Sequence, residues 1–402
     1  MKQKLTLLIT NRKSYIWLLI LLFLLAIIFM YFYFIQLVVP PFEDLANQIK
    51  SSCNSAKYRP TCYDKELSLL MYAPYKLSMN DTFKVSRIIS QNDEEYGFCH
   101  VLGHKLASQE TKKDPSKWKD VIAQCPSGTC SNGCIHGAFQ EKFRYEYLSP
   151  EQISKIKPEL RSICQKREGW NPSGIEQGSC YHALGHLLMY VSNADISSSV
   201  ALCHEMAITD AGTSFSSVCL DGVFMQMFQP LETEDFSLIR GKVPNKDQVL
   251  TFCNQFDDEA RASCWNESWP LQGKSIRNAV VVSHFCSQLN GQYKDRCYTA
   301  MFYIMPVQFN LDLDKSFNFC QGFSAEYKGK CFAQVAQRLV QTDQDFIDKA
   351  ISFCKKTIEF DAAELCFAEL ASKNSFNFAP GSAKSMELCT KLPDKWKPLC
   401  TR

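Results

Sequence analysis

The spacing of the cysteines constrains this chain more than any other feature. In the second half they fall as Cys253/Cys264, Cys286/Cys297, Cys320/Cys331, Cys354/Cys366 and Cys389/Cys400. Ten residues separate the members of four pairs and eleven those of the other, and successive first cysteines lie 33, 34, 34 and 35 residues apart. A fixed step near 34 over five units is the signature of a helix–turn–helix solenoid. Segments 343–354 (DQDFIDKAISFC) and 330–340 (KCFAQVAQRLV) place apolar residues at three- and four-residue steps, as amphipathic helices do. Residues 290–295 (NGQYKD), between two paired cysteines, are polar. Each unit is therefore expected to end helix A with one cysteine and begin helix B with the next, a disulfide closing the hairpin at its turn. Such loops stabilise by roughly 2–4 kcal/mol each, which offsets the small core of a single hairpin.

The same grammar extends, less regularly, into the first half. Cys53/Cys62, Cys125/Cys134, Cys164/Cys180 and Cys203/Cys219 would close further hairpins, which leaves Cys99 and Cys130 to cross-link neighbouring units. Spacing alone does not dictate connectivity. Cys125, Cys130 and Cys134 could also ligate zinc, although beside so many paired cysteines the bonded reading is preferred. Twenty cysteines in 402 residues, an even count, point to an oxidising compartment. Helix B is expected to start at Cys62, Cys99, Cys134, Cys180, Cys219, Cys264, Cys297, Cys331, Cys366 and Cys400. About ten units follow, the last a truncated cap.

Residues 15–39 suggest how the chain reaches that compartment. They form a run of 25 residues without a charge, where about 20 suffice to cross a bilayer as a helix. Lys2, Lys4, Arg12 and Lys13 precede the run, and Glu43 and Asp44 follow it after Pro40-Pro41. The basic flank should stay in the cytoplasm, with everything after Pro41 outside, extracellular or periplasmic. A cleaved signal peptide would have a shorter apolar region and a small-residue cleavage site, whereas bulky Phe, Tyr and Ile run to the end here. The expectation is an all-α, single-pass membrane protein: a cytoplasmic basic tail (1–14), a transmembrane signal anchor (15–39), irregular His/Cys-rich helical repeats (45–245) and regular Cys-x10-Cys repeats (246–402). After the anchor, the disulfide-stapled hairpins would form an extended right-handed solenoid. Lys+Arg at 44 against Asp+Glu at 42 gives no electrostatic reason to invoke nucleic acid.

In plan the pattern resembles the TPR/Sel1-like α/α repeats, particularly secreted cysteine-rich members in which a disulfide ties each hairpin. The resemblance rests on the period and the paired cysteines over residues 53–400, while the Gly/Ala/Tyr consensus of those repeats is missing from most units. It implies an architecture and partner binding, and it transfers no catalytic residue.

Five of the seven histidines occupy one place in the repeat: Cys99-His100-Val-Leu-Gly103-His104, Cys134-Ile-His136-Gly137 and Cys180-Tyr-His182-Ala-Leu-Gly185-His186. His100/His104 and His182/His186 are i,i+4 pairs, each on one helix face. That spacing lets two imidazoles reach one metal ion. The equivalent positions are His136 and Gln140 in the intervening unit, and Asp221 and Met225 in the next. Neighbouring helices pack 8–10 Å apart, so the two pairs should lie about 16–20 Å apart in a gently curved array. One ion could then bind His100, His104 and His136, or His136, His182 and His186. Tight curvature would instead gather both pairs around a haem or a dinuclear centre. Gly103, Gly137, Gly185 and Gly222 suit close helix approach. Zinc or copper is the favoured ion, with haem iron behind them. Met189, Met206, Met225 and Met227 lean toward copper, although methionines of this kind are more often core filler.

The bland alternative is that histidines in the first turns of buried helices simply hydrogen-bond the preceding hairpin. His204 and His284, beside helix-A cysteines, suit that structural role. Two functional classes follow. The first is a membrane-tethered scaffold with a transition-metal site, used structurally, for transport or storage, or as a hydrolase or oxidoreductase. Asp221, Glu141 and Glu205 would then be the nearest groups for proton transfer. The second is a non-enzymatic solenoid that binds an extracytoplasmic protein or peptide. Trp265 and Trp269 read as core or as a sugar or peptide platform, and Asn80-Asp-Thr82 and Asn266-Glu-Ser268 are glycosylation sequons in a eukaryotic setting.

Overall fold

A computed structural model describes residues 21–25, 39–143, 147–231, 233–379 and 381–400. Helices dominate, and among the described residues no strand forms; Arg167/Trp170 and Ile208/Ser214 are isolated bridges. Of the expected anchor, residues 21–25 are helical and 39 is described, while the rest of 15–39 lies outside the described residues. No helix among the described residues is long and apolar enough to cross a membrane.

The chain divides into two compact units, residues 1–91 and 92–402. In the first, Phe42–Cys53 and Arg59–Leu69 form a hairpin joined by Cys53–Cys62. Leu45, Ile49, Tyr63 and Leu67 recur along the two helices at helical spacing and are buried.

The second unit is a succession of such hairpins. Four of its helices matter most and are labelled here: α1 (His100–Lys113), α2 (Gly133–Phe143), α3 (Gly174–Val191) and α4 (Ser216–Phe228). They are the B helices of successive units, and the row continues through Asp258–Glu267, Gly291–Gln308, Ala325–Thr342 and Ala363–Ser372. All twenty cysteines are bridged, in the ten pairs the spacing suggested. The irregular links Cys99–Cys130 and Cys125–Cys134 are among them, as are Cys203–Cys219, Cys354–Cys366 and Cys389–Cys400. Cys125, Cys130 and Cys134 therefore do not form a zinc site.

Two expectations are corrected. The second cysteine of a pair does not generally begin helix B. Cys62, Cys219 and Cys366 lie a turn inside Arg59–Leu69, Ser216–Phe228 and Ala363–Ser372. Cys180, Cys264, Cys297 and Cys331 lie deeper, in the second turn of their helices. Cys400 begins nothing: it ends the short last helix, Lys397–Cys400. Only Cys99, the residue before α1, and Cys134, near the start of α2, stand where expected. Helix starts follow the capping residues instead. Ser173 accepts from the Glu176 amide while the Glu176 carboxylate accepts from the Ser173 amide, and Asp257 caps the helix that carries Cys264.

The array in this unit is also curled rather than extended. The Gln344 amide donates to the Gly128 carbonyl at 2.9 Å. The Arg338 guanidinium sits 3.9 Å from the Tyr303 ring and 5.6 Å from the Phe98 ring. Late helices of this unit thus return to its first ones.

Candidate metal centre

α1 packs closely on α2 and α3 on α4, with α2 meeting α3 between the two pairs. Glycine sets the closeness. A Cβ on Gly137 would lie 2.1 Å from the His104 carbonyl oxygen, and one on Gly222 would lie 2.0 Å from that of His182. No side chain fits either place without moving backbone. Each helix pair also carries the same two motifs. His-x-Leu-Gly-His stands on α1 (His100, His104) and on α3 (His182, His186). Cys-x-(His/Asp)-Gly stands on α2 (Cys134, His136) and on α4 (Cys219, Asp221). The two pairs are copies of one arrangement.

This packing gathers all five histidines. Nε2 of His104 lies 3.1 Å from Nε2 of His100, and Nε2 of His186 lies 3.2 Å from Nε2 of His182. His136 stands between the pairs, its ring centroid 5.1 and 5.0 Å from those of His100 and His104 and 5.4 and 5.5 Å from those of His182 and His186. The wide separation expected of a gently curved array is thereby overturned. Ligand atoms of His100, His104 and His136 all lie within 4.8 Å of one another, so these three could hold a metal ion.

Outward-facing nitrogens fix the rings. Gln226 Oε1 lies 2.7 Å from Nδ1 of His186, and Gln140 Oε1 lies 3.4 Å from Nδ1 of His104. An amide oxygen only accepts, so the His186 proton sits on Nδ1 and its Nε2 lone pair faces His182. Burial pushes every imidazole of the cluster toward the neutral form, and for most of them neighbouring imidazoles reinforce it. His104 falls to about 4 and His182 to about 3, His100 and His136 well below their ordinary value, and His186 below it. Neutral imidazole is the form that binds metals.

A cavity of about 30 Å³ adjoins the cluster, bordered by His104, His136, His186, Gln140, Tyr190 and Asp235. The Tyr190 hydroxyl donates to the Asp235 carboxylate, whose charge favours protons on His104 and His186 against the effect of burial. Sequence reasoning missed Gln226, Tyr190 and Asp235. Tyr190 continues the i,i+4 face of His182 and His186 and was readable from that. Asp235 lies in Thr233–Leu238, off the repeating positions, and carries no such signal.

Neither a family model, nor a curated protein, nor a solved structure corresponds to this chain, so the cluster is read from its own chemistry.

The other candidates fall elsewhere. Asp221 binds Arg296 at 2.7 Å, and burial pushes its carboxyl up against the pull of that guanidinium. Glu141 accepts from the Ser108 hydroxyl at 2.6 Å, and Glu205 pairs with Lys157 at 2.7 Å. His204 bonds Asp257 and Ser216, a structural role. Met189, Met206 and Met227 are buried core, whereas the Met225 sulfur lies 3.3 Å from His182 Nε2. Trp265 stacks on Phe285 and donates to its carbonyl, as a core residue does. Asn266 is 1% exposed and so is closed to glycosylation in the folded chain.

Proposed function

We propose that this protein is a membrane-anchored, extracytoplasmic helical-repeat protein, TPR/Sel1-like in plan, that binds a transition-metal ion through His100, His104 and His136. The observation that carries the reading is the 3.1 Å separation of the His100 and His104 Nε2 atoms in a largely buried, neutral cluster with an outward Nδ1 turned to Gln140. Two nitrogens about 2.0–2.1 Å from one tetrahedral ion lie about 3.3 Å apart, so the rings already stand at ligand spacing. Zinc and copper suit an imidazole set. A porphyrin is far larger than the 30 Å³ cavity beside the rings, which argues against haem.

The anchor and its orientation follow from the charge-free run at residues 15–39 and its basic flank. Leu21, Leu22, Phe23, Leu24 and Leu25 each expose half or more of their surface, as lipid-facing residues do. The bridging of every cysteine supports an oxidising, extracytoplasmic setting for the second unit. Protease added to sealed cells should digest a carboxy-terminal tag and spare an amino-terminal one; the reverse pattern would refute this orientation.

A second reading, a metal-free scaffold for a protein or peptide, has one observation behind it: 3.1 Å also suits a single N–H···N hydrogen bond. Metal analysis of the full chain, purified in detergent without chelators, separates the two. Bound zinc or copper that is lost in His104→Ala supports the first. A metal-free protein that takes up neither ion when titrated, and stays folded in His104→Ala, supports the second.

A further inference from the structure

We infer that a second ion, copper(I), is held beside the first by His182, His186 and Met225. The inference rests on the metal-binding reading above and extends it to the other half of the cluster. His182 and His186 repeat the arrangement of His100 and His104, with Nε2 atoms 3.2 Å apart. Gln226 holds the His186 proton on the outer nitrogen, so an Nε2 lone pair is presented inward.

The third donor is what distinguishes the halves. In the first it is the imidazole of His136. In the second, the corresponding carboxylate, Asp221, is engaged by Arg296, and the group beside the rings is the Met225 thioether, 3.3 Å from His182 Nε2. A set of two imidazoles and one thioether is soft, and softness selects copper(I) over zinc. Of the four methionines in this region, Met189, Met206 and Met227 are at most 1% exposed and fill core, while the Met225 sulfur stands against His182.

Two cations this close repel, and two features reduce the cost. Copper(I) carries a single charge. The Asp235 carboxylate borders the cavity between the halves, which also touches His104, His136 and His186 and so adjoins both positions. His136, stacked on His182 at an interplanar angle of 26°, separates the two sets of donors.

The test is metal stoichiometry on the full chain in detergent. Zinc is titrated aerobically, and copper(I) is then titrated anaerobically against a chromogenic chelator. Wild type should bind one zinc, and the zinc-loaded protein one further copper(I). His182→Gln/His186→Gln should keep the zinc and lose the copper(I). Met225→Leu, which conserves core volume, should weaken copper(I) about tenfold or more without moving zinc. If wild type binds one ion in total, abolished by substitution in either pair, the ion is shared: metal binding stands and the second site does not. Copper(I) affinity unchanged in Met225→Leu would overturn the thioether assignment. Absence of any bound or titratable ion would overturn both readings. Far-UV circular dichroism on each variant shows that loss of an ion is not loss of fold.

Discussion

His186 Nδ1 lies 2.7 Å from Gln226 Oε1, and this one contact keeps the ring's proton on the outer nitrogen. Replacing Gln226 with Leu removes the acceptor and lets the proton move to Nε2, where it blocks a ligand position. Outer partners of this kind typically contribute 10–100-fold to metal affinity. Gln226→Leu should weaken binding at His182/His186 by about that factor, and Gln226→Glu should preserve it. A competition titration checks both.

Metal should also appear in stability. An ion that binds the folded chain and not the unfolded one stabilises by about 2.7 kcal/mol at a hundredfold excess over its dissociation constant. Zinc should therefore raise the melting temperature of the wild type and leave His100→Ala/His104→Ala unmoved. An equal rise in both would place the ion elsewhere.

The chelator-treated protein should lose stability in acid over a defined window. Its histidines titrate low when folded, His104 at about 4 and His182 at about 3, against about 6.5 in an unfolded chain. Below 6.5 the unfolded state binds more protons, so stability is complete above that value and declines as pH falls toward 4 and then 3. The slope is up to about 1.4 kcal/mol per pH unit for each proton. Urea midpoints between pH 7 and 4 measure it, and His104→Gln should flatten the curve.

Gly137→Ala and Gly222→Ala should act on two levels. The added methyl meets the carbonyl of His104 or His182, and relief requires the helices to part. Overpacking of this sort costs roughly 1–3 kcal/mol. Parting should also spread the imidazoles, so metal affinity should fall even in samples that remain folded. An alanine at Gly241, open on every side but in a left-handed backbone, should lower stability without touching metal binding.

The architecture was legible because its bridges are local. Nine of the ten join cysteines 9 to 16 residues apart, and a periodic sequence announces such pairings directly. The histidines were legible as two i,i+4 pairs and a fifth in register. Their convergence was not. How near α1 stands to α2, or α3 to α4, depends on what each glycine faces, and spacing along the chain does not state that. The starts of the B helices were misplaced for a related reason. Cysteines such as Cys219, Cys366 and Cys400 are conspicuous in the repeat, but a disulfide can leave a helix from its first turn, its second or its end. Ser173 and Asp257 satisfy the first amide groups and so set where their helices begin. Asp235 reaches the cavity from a short helix between units, where a repeat pattern offers no register to extrapolate.

The connectivity of the bridges has a consequence for biosynthesis. In a chain oxidised as it emerges from the amino-terminal end, nearly every cysteine finds as its proper mate the very next one to arrive. Cys99 and Cys125 are the exceptions, since Cys125 appears before Cys130 does and Cys130 before Cys134. A premature Cys99–Cys125 link would form first and would need thiol exchange to resolve. Demand for an isomerase is thus concentrated on the stretch that bears His100, His104 and His136.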